Sequence, residues 1–417
     1  MFGEKMKINK KCRMCDGGKL VKFLDLGKQA LANSFVKKEN LEKPEPKFPL
    51  EAYWCQSCNL AQLIHVVDPE IMFRDYVYFT SGMPRISFHW QAYANHVMAN
   101  FLSRKDDFVL EVGSNDGALV KYFFENGYRA LGVDPARNIV DTANKNGIPT
   151  ICDFFGNTVA DKILQSHGKA KAILANNVFA HIDDHQSVLL GVTKLLHKDG
   201  VFAIEAPHIL DMFENLAYDT IYHEHLSFLA VRPMQKFFEK FGLEIFDVKI
   251  VPAQGQSLRV FAGWKGAHKI AQSVSELINR ELKIGLDKKE SYLELARRIA
   301  SSKENLLNVL RDLKNSGKRI AAYGAPAKGN TLLNYCKIGI DTLDYASDGL
   351  PSKVGLYTPG MHIPVVSKEY ANANPPDYYL LLAWNYKDSI LEAEKDSKFK
   401  KNGGKFIVPI GDKIELI

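Results

Sequence analysis

Tyr222-His223-Glu224-His225 sets four ionisable side chains side by side. A histidine titrates near neutral pH and a neighbouring carboxylate can orient it, so the string suits general acid–base chemistry. Four such groups in a row cannot all face an apolar core, because an unpaired buried charge is too costly. His225 is the expected base and Glu224 its orienting partner. Two other readings stay open: the His-x-His spacing also suits a metal, and a polar surface turn has the same composition. A different chemistry is written at the start of the chain. Cys12 and Cys15 form one Cys-x-x-Cys pair, Cys55 and Cys58 a second. Two intervening residues put both sulfurs on one tight turn, and two such turns close a four-thiolate shell around Zn²⁺ with no open position. That is a structural site, expected to be remote from the chemistry. Cys152 and Cys336 stand apart in apolar surroundings and read as buried thiols.

Two glycine turns supply candidate ligand sites. Glu111-Val112-Gly113-Ser114-Asn115-Asp116-Gly117 follows an apolar strand and opens a helix. Glycines let the backbone approach a ligand, and the following helix start offers free N–H groups. Asp134 ends the next strand, where a carboxylate suits a ribose diol. The dinucleotide fingerprint G-x-G-x-x-G is absent. Glu111-x-Gly113 instead resembles the first motif of class I S-adenosylmethionine methyltransferases. That resemblance implies roles for Asp153 on an adenine amino group, for Phe154 (or Phe155) over the ring, and for Asn176 and Asn177 at the methionine end. Two core phenylalanines are the competing reading of Phe154 and Phe155. The second turn, Tyr323-Gly324-Ala325-Pro326-Ala327-Lys328-Gly329-Asn330-Thr331, also sits between a strand and a helix. Its amides, the helix start and Lys328 suit a diphosphate. It is not a P-loop, since no Lys-Ser or Lys-Thr follows its second glycine. Asp348 ends the strand after it and could contact or position the nucleoside; Lys353 and His362 are weaker candidates that read first as surface residues.

The elements that must position these groups fall into three units. Residues 1–70 hold both cysteine turns among short strands and have little core of their own, so metal would supply much of their folding energy. In residues 71–267, WQAYANHVMANFL has amphipathic helical spacing. DFVLEV, YRALGVD, AKAILAN and GVFAIEAP then read as strands alternating with helices, and VKIVPAQGQSLRVFAGW as a terminal hairpin. Alternation of this kind implies a mostly parallel sheet covered on both faces. His181 lies just after the AKAILAN strand. Residues 268–417 open on one or two long helices and continue as a second α/β unit. The fold class is therefore α/β: a small zinc-binding domain, a Rossmann-like domain and a second Rossmann-like domain.

Four motifs in this order, the cysteine pairs, EVGSNDG, DTIYHEHLSFL and YGAPAKGNTLLNY, resemble the sugar C-methyltransferase family over essentially the whole chain. The resemblance implies S-adenosylmethionine as methyl donor, structural Zn²⁺, and a nucleotide-linked 4-keto-deoxysugar as substrate, methylated through an enolate at C3. It also implies that Tyr76, Tyr222 and His181 share the active site with His225 and Glu224. For Tyr76, packing between domains is the competing reading. The second turn would grip the sugar nucleotide. Where the family suggests an Asp-Arg-Asn-Pro-like run, this chain has Asp348-Gly349-Leu350-Pro351, without the basic side chain.

Composition agrees with a globular enzyme: 46% apolar, 24% charged, formal charge +6 from 54 basic and 48 acidic residues. No basic block suggests a nucleic-acid arm, and no stretch reaches the roughly 20 apolar residues of a membrane span. The first residues lack an apolar signal core, so a reducing cytoplasm is expected. An O-methyltransferase acting on a sugar or capsule precursor, or a non-catalytic nucleotide-sugar binder, are the alternatives. The first needs a base but no ketone, and the second needs no ordered base.

Overall fold

Every residue of the strand Phe108–Val112 is buried, as expected for a parallel strand covered on both faces. It stands inside a seven-stranded sheet whose order is 243–251, 257–264, 196–207, 170–176, 108–112, 129–134, 150–152. The five strands from 196–207 to 150–152 run parallel, and the 243–251/257–264 hairpin closes one side antiparallel. The chain enters at 108–112 and winds first one way and then the other, so a crevice opens between 108–112 and 170–176. The computed structural model describes residues 6–74, 79–82, 84–252 and 255–417.

The C-terminal sheet repeats the plan. Ile320–Tyr323 lies between Ala346–Ser347 and Tyr378–Leu381, parallel to both. The two glycine turns therefore leave the C-terminal ends of two central strands, each at its sheet's switch point. The helices Gln272–Ile284 and Lys289–Asn315 separate the sheets.

The N-terminal module has a four-stranded antiparallel sheet in the order 227–228, 61–63, 48–55, 20–29. Its fourth strand, Ser227–Phe228, comes from the segment just after His225. Phe23 and Trp54 of the module pack on Tyr292 of the long helix, with ring centroids 4.9 and 5.6 Å apart. Within the seven-stranded sheet, the sequence reading lacked the strand Thr150–Cys152. It is only three residues long and follows Gly147-Ile148-Pro149, which reads as loop. Cys152 at its end is exposed, against expectation, whereas Cys336 is buried with its sulfur 3.9 Å from the Tyr218 hydroxyl.

Candidate active site

The first turn is held open by backbone geometry. Gly113 has φ +67° and Gly117 φ +78°, the left-handed region that favours glycine. A Cβ on Gly113 would stand 2.6 Å from Val178 Cβ, so the turn also needs the missing side chain. Asp134 locks the turn: Oδ2 accepts from the Asn115 amide and Oδ1 from the Ala136 amide, each at 2.9 Å. Burial raises the Asp134 pKa, and the two amides oppose that shift. Beneath the turn Glu111 Oε1 accepts from Asn176 Nδ2 at 3.1 Å. Burial first, then the neighbouring Asp134 and Asp116 charges, push Glu111 up to about 8. Glu111, Gly113, Ser114, Asn115, Asp134, Asp153, Phe154, Asn176 and Asn177 all line one cavity. Gly117 lies off it, where a Cβ would meet Ile148 at 2.6 Å.

The string 222–225 is more buried than its composition suggests. His223, Glu224 and His225 are 1%, 6% and 6% exposed. Each of the three faces a different partner, which offsets part of the cost of burial. His223 Nε2 meets the Phe48 carbonyl at 3.2 Å. Glu224 accepts from Asn33 Nδ2 at 2.6 Å. His225 Nδ1 meets the Thr220 carbonyl at 2.7 Å. A carbonyl only accepts, so Nδ1 carries the proton and Nε2 keeps its lone pair. Burial drives His225 well below its ordinary pKa, aided by His181 and Lys328. The result is a neutral imidazole of fixed tautomer. The Thr220 carbonyl thus fills the orienting place that the sequence reading gave to Glu224. A carbonyl has no sequence signature, which is why it was missed.

His181 lies with its ring centroid 5.0 Å from that of His225 and stacks on Phe73 at 5.9 Å. Burial lowers it to about 4. The Tyr222 ring is 4.0 Å from His225. Tyr222, His181 and His225 line the same cavity as the first turn. Tyr76 lies outside the described residues.

The second turn copies the first. Gly324 has φ +82° and donates to the Ser347 carbonyl at 2.7 Å. Asp348 Oδ2 accepts from the Ala325 amide at 2.8 Å and Oδ1 from the Leu350 amide at 2.9 Å. Tyr323, Gly324, Lys328 and Asp348 line the cavity. Ala325, Asn330 and Thr331 are buried behind them, and Asn330 Nδ2 donates to the Ala32 carbonyl of the N-terminal module at 2.7 Å. Lys353 is not the surface residue expected. Its side chain is 12% exposed, lines the cavity, donates to the Ala325 carbonyl at 2.9 Å and lies 3.5 Å from Asp348. Burial lowers its pKa. His362 is half-buried, with Nε2 3.5 Å from Glu45.

Both turns and the histidines share one cavity of about 1270 Å³. A single small ligand occupies roughly 300–1,000 Å³, so the space suits two ligands held end to end. S-adenosylmethionine fits the first half: around Gly113, the Oε2 of Glu111 and the side-chain oxygens of Asn176 and Asn177 are buried with no hydrogen-bond partner among the described residues.

The four cysteine sulfurs lie within 4.8 Å of one another, with Cys12–Cys58 and Cys15–Cys55 each at 3.5 Å. A Zn–S bond of about 2.3 Å puts tetrahedral sulfurs about 3.8 Å apart, so the donor set fits Zn²⁺. The module is nonetheless tied to the segments that carry the cavity histidines. Arg13, between two of the ligands in sequence, is 6% exposed and donates to the Leu226 carbonyl and to Asp183.

Comparison with known proteins agrees in class. Residues 12–73 match a "Putative zinc binding domain", 89–248 a methyltransferase domain and 252–411 a C-methyltransferase C-terminal domain. The chain is 36% identical to the C-methyltransferase NovU of Streptomyces niveus over 96% of its own length and 95% of that protein's. Among solved structures, magnesium protoporphyrin IX methyltransferase of Synechocystis PCC 6803 with bound SAM covers 47% of this chain and 88% of its own, at 14% identity and TM-score 0.32. The chain belongs to the C-methyltransferase family of NovU. It is an S-adenosylmethionine-dependent C-methyltransferase with a zinc-binding module.

Proposed function

We propose that the enzyme C-methylates a nucleotide-linked 4-keto-deoxysugar at C3, one of the two carbons beside the ketone. The observation that carries this reading is His225: a neutral, tautomer-fixed imidazole on the wall between two glycine turns of one cavity. A hydrogen beside a ketone is weakly acidic and needs a well-placed base, whereas a non-catalytic binder needs none.

On this reading the 111–117 turn and Asp134 hold the methyl donor, with Asp153 and Phe154 at the adenine and Asn176 and Asn177 at the methionine end. S-adenosylmethionine supplies an electrophilic methyl group. The 324–331 turn, Tyr323 and Asp348 hold the sugar nucleotide between the second and third units, which we assign to residues 71–267 and 268–417 after a zinc unit of 1–70. His225 Nε2 takes the proton from the sugar carbon. Thr220 keeps the tautomer, and Glu224 braces the loop through Asn33. Tyr222, His181 and Tyr76 complete the wall around the reacting carbon. The free thiols among the described residues suit a cytoplasmic location.

Solvent deuterium wash-in tests the reading. In D₂O without methyl donor, the enzyme is expected to exchange the hydrogen beside the ketone of a nucleotide-linked 4-keto-6-deoxyhexose, and His225→Ala is expected to lose that exchange by about 10²–10⁴. Methylation of a hydroxyl without any exchange at carbon would instead identify an O-methyltransferase. Exchange at the unaltered rate in His225→Ala would move the base to Tyr222 or His181.

A further inference from the structure

Lys328 ends in a buried place with an unmet need for an acceptor. Its Nζ is sealed from solvent and has no hydrogen-bond partner among the described residues. The side chain lines the shared cavity, and Nζ lies 5.0 Å over the Trp384 ring. The same Trp384 donates from Nε1 to Asp219 Oδ2 at 2.7 Å. Asp219 is wholly buried and neighbours Thr220, the residue whose carbonyl holds His225. Lysine, ring and carboxylate thus form one block joining the C-terminal unit to the catalytic turn. Burial raises Asp219 and lowers His225, and the Lys328 charge pulls both downward.

An ammonium withdrawn from water with its N–H groups unspent is costly unless a ligand brings an acceptor. Of the acceptors on a ketosugar nucleotide, the diphosphate carries negative charge and the ketone oxygen develops it on enolisation, so these two match an ammonium best. A second cation answers for the phosphate end, since Lys353 sits against Asp348 and Ala325 at the glycine turn. Lys328 faces the cavity that the base lines, and Trp384 links it to Asp219, the neighbour of Thr220, whose carbonyl holds His225.

We propose that Lys328 is a catalytic residue, whose ammonium hydrogen-bonds the ketone oxygen as it becomes an enolate. The inference rests on the ketosugar reading above. When His225 Nε2 takes the proton, the C–H bond breaks and its electron pair forms the C=C bond. The carbonyl π pair moves onto oxygen, where the Lys328 N–H groups meet it. Trp384 and Asp219 are positioning residues that hold the ammonium there. A preorganised donor facing developing charge stabilises the transition state more than the ground state.

The test is wash-in at the carbon beside the ketone of thymidine-diphosphate-linked 4-keto-6-deoxyglucose, in D₂O without methyl donor, on the full chain. Lys328→Met is expected to lower the rate at saturation by about 10²–10³, as for loss of one oxyanion donor, while the half-saturating concentration stays put. Lys328→Gln, which keeps a neutral donor, is expected to fall between the two. Zinc content and S-adenosylmethionine binding of both variants report their folding. A raised half-saturating concentration with an unchanged rate at saturation would return Lys328 to the diphosphate and overturn the proposal. An unchanged rate and concentration would overturn it too. Absence of wash-in by the unaltered enzyme would overturn the ketosugar reading itself, and this proposal with it.

Discussion

Arg13 Nη1 donates to the Leu226 carbonyl at 2.5 Å, and Leu226 directly follows His225. The same guanidinium reaches Asp183, two residues after His181, at 3.2 Å, and the Leu63 carbonyl at 2.8 Å. A residue framed by Cys12 and Cys15 thereby touches both segments that carry cavity histidines. Burial lowers the Arg13 pKa while Asp183 raises it. The thiolate cluster fixes the turn, the turn fixes the guanidinium, and the guanidinium fixes the loop.

Replacing Arg13 by Met keeps the volume and removes the donors. Losing a charged hydrogen-bond donor is worth about 3 kcal/mol, so urea unfolding should shift to lower denaturant and methylation should fall with it. Cys55→Ser should lose zinc as well. If Arg13→Met kept its urea midpoint and its turnover, zinc and chemistry would be uncoupled.

Gly113→Val should abolish S-adenosylmethionine binding without unfolding the protein. The new side chain collides with Val178 and adopts φ +67° against its preference. Titration calorimetry reads the loss, and normal affinity would put the donor elsewhere.

Acid should destabilise the fold from pH 6.5 downward. His181 and His223 are lowered to about 4 and His185 to about 3, each first by burial. Between these values and the ordinary 6.5, the unfolded chain binds protons that the folded one refuses, so stability is full above pH 6.5 and drains away as pH falls toward 4. Each histidine contributes about 1.4 kcal/mol per unit of its shift. Urea midpoints measured from pH 7 to pH 4.5 should decline steadily. A flat profile would mean that these rings are not buried neutral.

Asp348→Asn should slacken the second turn and leave the first alone. An amide cannot accept at both ends, so either Ala325 or Leu350 loses its acceptor. The half-saturating concentration of the sugar nucleotide should rise while S-adenosylmethionine affinity is kept. Equal weakening of both ligands would count against separate sites.

Much of this arrangement is legible from residue order. The cysteine pairs gather because their spacing permits one shell, and Glu111-x-Gly113 and Gly324 mark the two turns because those dihedrals favour glycine. Polar residues misled where they found partners across the fold. His223 and Glu224 are buried because Phe48 and Asn33 wait for them from another unit, and neither pairing has a local signal. Lys353 reads as surface until Ala325 and Asp348 fold over it. Arg13 could have been noticed as a long cation inside a metal turn, yet its acceptors are backbone carbonyls and the sequence-distant Asp183, which no local pattern pairs with it.

Ser227–Phe228, the edge strand that completes the zinc module's sheet, constrains how this enzyme can be recombined. The module looks detachable in chain order, but part of its hydrogen-bonded ladder is encoded beyond residue 220. A graft that exchanges only the first 70 residues with a relative's would leave a foreign sheet meeting the host's strand and the host's catalytic turn. Exchange should succeed only when 218–228 travels with it, so the inherited unit is a discontinuous pair of segments.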